Sequence, residues 1–183
     1  CLDQVPHGPL RILSMCAGDG RDLIGVLQSH RRRADAEAFL VELNGQSVSD
    51  GIRQAEASGL DGVVKFIQAD ATDYLTYRNL APCDIVLVSG VWGHVPASDR
   101  ASLIYALASF CNSGGKVIWT RKISKGEHRL KELQSMFDEA SWSPVRQSLS
   151  SDRKWAVSTY LYRGPALDVP TNGRIFTFRK KAG

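Results

Sequence analysis

The chain has 183 residues, with 23 Lys and Arg against 19 Asp and Glu, giving a net charge of +4 and a pI near 9.0. Hydrophobic residues make up 43% and charged residues 23%. That balance excludes a disordered chain, and the length suits about one domain whose core needs no disulfide or metal. Arg, Lys or Asp breaks every apolar run before the ~18 residues of a membrane helix, so no membrane partner is expected. No leader pattern is visible, and the sequence opens on Cys1. The expectation is a single domain over residues 1–183, preceded by an upstream segment.

Cys1, Cys16, Cys83 and Cys111 form no CxxC pair and accompany no His pair, so no zinc site is expected. Cys16 and Cys83 read as small buried hydrophobes in a reducing, cytoplasmic setting. Basic residues gather at Arg31–Arg33 and at Arg179-Lys180-Lys181. Without interleaved aromatics they read as a solvated helix end and a charged tail. A nucleic-acid partner is disfavoured but left open.

Strand and helix patterns alternate along the chain. Arg11–Met15 reads as a first strand, followed by a glycine loop and a helix from Arg21 to about His30 with Leu23, Ile24 and Leu27 on one face. Ala38–Glu42 is a second strand. A helix over 46–58 follows, with Val48, Ile52 and Ala55 at helical spacing, and then a third strand, Val63–Gln68. Asp84–Ser89 is apolar without alternation, as a strand covered on both faces should be. Residues 99–111 predict an amphipathic helix carrying Leu103, Ile104, Leu107, Ala108 and Cys111, stopped by Asn112–Gly115. Lys116–Thr120 is a fifth strand. Ser124–Glu127 has the form of a capping box opening a helix with Leu130, Leu133, Met136, Phe137 and Ala140 in register. Val145–Leu149, Trp155–Leu161 and Arg174–Phe178 are strand-like with no helix between them. The pattern predicts an α/β fold: a doubly wound, mostly parallel sheet with antiparallel C-terminal strands.

Ligands in such sheets bind outside the carboxyl ends of the strands. After the first strand come Cys16-Ala17-Gly18-Asp19-Gly20. Gly18 and Gly20 remove side chains where a ligand would meet backbone, although a tight strand-to-helix turn would look the same. A dinucleotide fingerprint would want a small residue at Leu23. Asp19 would oppose a pyrophosphate and suit an ammonium or sulfonium centre instead, which disfavours a nicotinamide oxidoreductase. Glu42 ends the second strand, placed to accept hydrogen bonds from ribose hydroxyls. Asp70, after the third strand, could accept from an exocyclic amine or simply cap its loop.

The order Met15–Gly20, Val41-Glu42, Ala69-Asp70-Ala71 and Asp84–Ser89 resembles the class I S-adenosylmethionine-dependent methyltransferases over roughly residues 10–140. It is also similar to small bacterial methyltransferase-like proteins with a CAGDGRD-type first loop. The resemblance implies a seven-stranded sheet with one antiparallel strand inserted near the end, and S-adenosylmethionine as cofactor. By position, Cys16, Ala17, Gly18, Asp19 and Gly20 would meet its methionine part. Glu42 and Leu43 would meet the ribose, Asp70 and Ala71 the adenine, and Ser89, Gly90 and Val91 would line the opposite side. The chain departs from the family pattern at Ser14, where an acid is common, at Cys16, where a glycine is common, and in having no Asn-Pro-Pro-Tyr motif after the fourth strand. The implied activity is methyl transfer to a small-molecule acceptor. A catalytically silent cofactor-binding module of the same fold is the alternative.

His94 follows the fourth strand and is either a general base or a loop histidine. Trp92 either stacks on a planar acceptor or packs on the 99–111 helix. Arg121 and Lys122 either hold an anionic acceptor or occupy a solvated turn.

Overall fold

The structure is a computed structural model that describes residues 2–5, 8–123 and 128–179. Its strands are β1 (Leu10–Met15), β2 (Ala36–Glu42), β3 (Val64–Gln68), β4 (Cys83–Val88), β5 (Cys111–Lys122), β6 (Trp142–Leu149) and β7 (Trp155–Tyr162). Its helices are α1 (Arg21–Leu27), α2 (Gly45–Ala57), α3 (Arg100–Phe110) and α4 (His128–Asp138). The strands form one seven-stranded sheet in the order β3-β2-β1-β4-β5-β7-β6. β1 to β5 pair in parallel, and β7 is antiparallel to both of its neighbours. Helical crossovers after β1, β2 and β4 impose the parallel pairs, and the direct connection between β6 and β7 imposes the antiparallel one.

Strand alternation divides the interior into two cores. Leu10 and Ile12 of β1 join Leu23, Ile24 and Leu27 of α1 and Ala55 of α2. Leu13 and Met15 turn to the other face, with Leu103 and Leu107 of α3 and Phe137 of α4. Phe137 makes ring contacts with Trp92, Trp119, Trp142 and Tyr160 at 4.9–5.8 Å. Truncating such a residue to Ala costs about 3–5 kcal/mol. Beyond α1, no described element covers the first face across β4, β5 and β7. That face forms a groove of about 560 Å³ lined by Leu87, Ile118 and Val157 among others.

Several expectations need correction. α3 is not amphipathic: Ala101, Ser102 and Tyr105 face outward while eight of its eleven residues are buried. Cys111 opens β5 rather than closing the helix, and Asn112–Gly115 lie inside that strand. A Cβ on Gly115 would lie 2.8 Å from the Asn112 carbonyl and 3.1 Å from the Cys83 carbonyl, so this glycine admits a close approach of β5 to β4. Ile52 is 42% exposed, because α2 turns Gly51 toward Phe66. Arg174–Phe178 is no strand. Only an isolated bridge from Arg174 to Asp73 remains, and the segment instead crosses the strand tips. Its links are Ile175 N–H to Thr72 O (2.7 Å), Thr177 N–H to Asp99 Oδ2 (2.8 Å) and Arg179 N–H to His94 O (2.8 Å). Arg32 is buried, donating to Asp35 and to the carbonyls of Leu2, Val5 and Gly8. Cys16 is only partly buried. The expected capping box, Cys1, Lys180 and Lys181 lie outside the described residues. Among those described, no helix is long and apolar enough to cross a membrane.

Candidate functional site

Strand order reverses between β1 and β4, so their carboxyl ends open a crevice. The chain leaves β1 through three left-handed residues: Cys16 (φ 51°), Gly18 (φ 59°) and Gly20 (φ 68°). For Cys16 this conformation carries strain of about 1–2 kcal/mol. The two glycines serve different ends. A Cβ on Gly18 would meet nothing within 4 Å, so its backbone is open to a ligand. A Cβ on Gly20 would collide with Leu40 and come within 3.0 Å of Phe66, so this glycine serves packing.

The Glu42 carboxylate ties the tip of β2 to this loop. Its Oε2 accepts from Gly18 N–H at 2.9 Å and its Oε1 from Asn44 N–H at 2.8 Å. Each oxygen keeps further lone-pair capacity for a ligand. Asp70 Oδ1 accepts from Thr72 N–H (2.9 Å) and Thr72 Oγ1 (2.8 Å), and Arg174 approaches Oδ2 at 3.9 Å. Burial pushes the Asp70 carboxyl upward, but the Thr72 hydrogen bonds and the Arg174 charge outweigh it, and the group ends below its ordinary value. Between the two acids sits the Cys16 thiol, pushed up to about 12 by burial and by the charges of Glu42 and Asp70. It is a neutral surface rather than a nucleophile. The Asp19 carboxylate is clasped by the Arg21 guanidinium, which holds it below the usual range despite partial burial.

Cys16, Glu42, Leu43, Asn44, Asp70, Ala71 and Phe178 enclose a cavity of about 360 Å³, within the usual range for small ligands. Five of these seven are residues singled out from sequence. Asn44 and Phe178 are not. Asn44 caps α2 by accepting from Ser47 N–H, and so reads as purely local. Phe178 arrives on the segment mistaken for a strand.

The remaining expected residues lie around this cavity rather than in it. Gly18 joins it through Glu42, while Ala17 is held by its N–H to the Val41 carbonyl (2.9 Å). Gly90 donates its N–H to Thr120 Oγ1 at 2.8 Å, Val91 is buried, and Ser89 lines the groove on the first sheet face. The His94 side chain is exposed, and its backbone carbonyl holds Arg179. Trp92 is fully buried edge-on to Trp119 and Phe137, so it packs in the core and cannot stack on an acceptor. Arg121 is buried rather than solvated, while Lys122 is exposed; both belong to β5.

Among the described residues, the cavity lining carries two carboxylates and no basic side chain. It therefore suits a ligand that presents hydroxyl and amine donors and no phosphate. An adenosyl group has that pattern, and the open backbone at Gly18 leaves room for an attached amino-acid chain. Among the described residues no cluster of His, Cys, Asp or Glu could hold a metal ion.

Comparison with known proteins agrees with this geometry. Residues 3–131 match the model of a family described as "Putative methyltransferase". No curated protein matches the chain. Among solved structures, it is similar to a SAM-dependent methyltransferase from Thiobacillus denitrificans in complex with S-adenosyl-L-homocysteine (TM-score 0.64, 18% identity, covering 85% of this chain and 86% of that one). It is also similar to an RNA methyltransferase from Salinibacter ruber in complex with S-adenosyl-L-homocysteine (0.57, 18%, 87% and 85%). A third is a ribosomal protein L11 methylase from Lactobacillus delbrueckii subsp. bulgaricus (0.64, 14%, 89% and 75%).

Proposed function

We propose, from the premise that this chain belongs to the family described as "Putative methyltransferase", that it transfers the methyl group of S-adenosylmethionine to a small-molecule acceptor. The observation that carries the reading is the Glu42 carboxylate, fixed at the β2 tip by two backbone N–H groups and facing a cavity that no basic side chain lines among the described residues. When bound, the cofactor supplies an electrophilic methyl on a sulfonium centre. The chain's own residues bind, orient and exclude water.

Glu42 accepts from the two ribose hydroxyls. Asp70, ionised and fixed by Thr72, accepts from the adenine amine, and Ala71 and Phe178 supply apolar walls. Gly18 offers bare backbone to the methionine end. Since Arg21 occupies the Asp19 carboxylate, the loop's contribution there is mainly backbone. The acceptor enters on the β4–β5 side, beside Gly90 and Thr120. His94, on the loop that follows, is the candidate to remove an acceptor proton.

Calorimetric titration with S-adenosylhomocysteine and, separately, with NADH tests the reading. Saturable binding of the first and none of the second is expected. A folded protein that gives no heat with S-adenosylhomocysteine or with S-adenosylmethionine at ~1 mM, a ceiling of about −4 kcal/mol, would overturn it.

A further inference from the structure

Arg121 is out of place in an ordinary core. It is 7% exposed, at the carboxyl end of β5, on the strand face that also carries Val117 and Trp119. Its Nε and Nη1 are buried without any hydrogen-bond partner. No aromatic ring compensates: the cation–π contacts among the described residues belong to Arg11 and Lys65, over Phe39. The charges around it make matters worse. Arg100, the first residue of α3, is 5% exposed, and Arg129 in the first turn of α4 and Arg179 on the C-terminal segment stand exposed nearby. Among the described residues, the one carboxylate in this group, Glu132, is engaged with Arg100 at 2.8 Å. Burial first, and then the three neighbouring arginines, weaken the hold of the Arg121 guanidinium on its proton.

A buried cation with unmet donors, among three more cations and one committed acid, is costly for the protein alone. An oxyanion arriving between Arg129 and Arg179 would offset the excess charge, and a shift of the side chains that cover Arg121 would bring its unmet donors onto the ion. α3 and α4 also begin here, adding the positive ends of two eleven-residue helices. The position is next to the reaction site. Arg121 follows Thr120, which binds Gly90 N–H. Arg179 follows Phe178, which lines the cofactor cavity, and its own N–H is held by His94.

We infer that Arg121, with Arg100, Arg129 and Arg179, forms an oxyanion subsite that grips a phosphate or carboxylate of the methyl acceptor. Anion binding here stands on its own observations; only its assignment to the acceptor rests on the methyltransferase reading.

The test uses inorganic phosphate and acetate as probes, at ionic strength held constant with chloride. Melting temperature and calorimetry are read on the whole protein. Phosphate at ten times its Kd should raise the Tm by ~3–6 °C. Arg121→Met should abolish that response without lowering the Tm in probe-free buffer, because it removes an uncompensated charge. It should leave S-adenosylhomocysteine affinity unchanged. The exposed Arg179→Ala, which cannot disturb the core, should weaken phosphate binding several-fold.

A preference for phosphate over acetate identifies a phosphorylated acceptor, and equal binding a carboxylate. The inference is overturned if the wild type ignores both probes, if neither variant alters the response, or if Arg121→Met melts well below the wild type in probe-free buffer, since Arg121 is then merely structural. Binding of S-adenosylhomocysteine without an anion response refutes this subsite alone. An anion response without adenosyl binding refutes the methyltransferase reading and leaves the subsite standing.

Discussion

Gly18 N–H donates to Glu42 Oε2 at 2.9 Å, so one carboxylate both shapes the loop after β1 and faces the ligand cavity. Charge-assisted hydrogen bonds contribute about 1.5–3 kcal/mol. Glu42→Ala should therefore weaken S-adenosylhomocysteine binding about tenfold to a hundredfold by calorimetry. Glu42→Gln, which retains one acceptor oxygen, should fall between. Unchanged affinity in both would remove the ribose role.

The two loop glycines should separate stability from binding. Gly20→Ala combines left-handed strain with overpacking against Leu40 and Phe66, and should cost about 2–4 kcal/mol in urea unfolding. Gly18→Ala has open space and should cost only ~1–2 kcal/mol, yet weaken adenosyl binding. The reverse ranking would contradict the packing role of Gly20.

The His94 side chain takes no part in the described hydrogen bonds; its backbone does the holding. His94→Ala should leave the melting temperature and cofactor affinity nearly intact. If the imidazole acts as base, turnover on the true acceptor falls about a hundredfold or more. Equal turnover would make it an ordinary loop residue.

Cys16 gives a prediction in pH. Its thiol lies at about 12 against an ordinary 9.0. At pH 8 the thiolate is about a thousandfold scarcer than in the unfolded chain. Native Cys16 should resist iodoacetamide and react quickly in urea. Glu42→Gln removes one of the charges that raise it and should speed the native reaction. The sign of the linked stability follows: the raised group favours the folded state below pH 9.0, and this contribution is lost progressively as pH rises toward about 12. Rapid native alkylation at pH 8 would contradict the placement of this thiol between two carboxylates.

The sheet was legible where apolar runs alternate with helical periods, and Glu42 and Asp70 were legible because each is an acid just past such a run. What escaped depends on contacts between distant residues. Gly115 looks like a helix stop in sequence, but it lies within β5, where a Cβ would meet both the Asn112 carbonyl and the Cys83 carbonyl on the neighbouring strand. Ile52 has helical spacing, yet only Phe66, on β3, decides that Gly51 takes the inward face. Residues 174–178 are strand-like in composition, and nothing local says that Thr72 and Asp99 take their hydrogen bonds instead. Arg121 carried an open choice between solvent and an anion. Its burial depends on how β5 packs beneath α3 and α4.

The C-terminal crossing segment also bears on how the protein matures during synthesis. Thr177 finds Asp99 across 78 positions of chain, and Phe178 walls the cavity from that same segment. A nascent polypeptide halted before residue 173 would hold all seven strands while lacking that wall. The wall of the cavity is therefore completed only after the sheet itself has been synthesised.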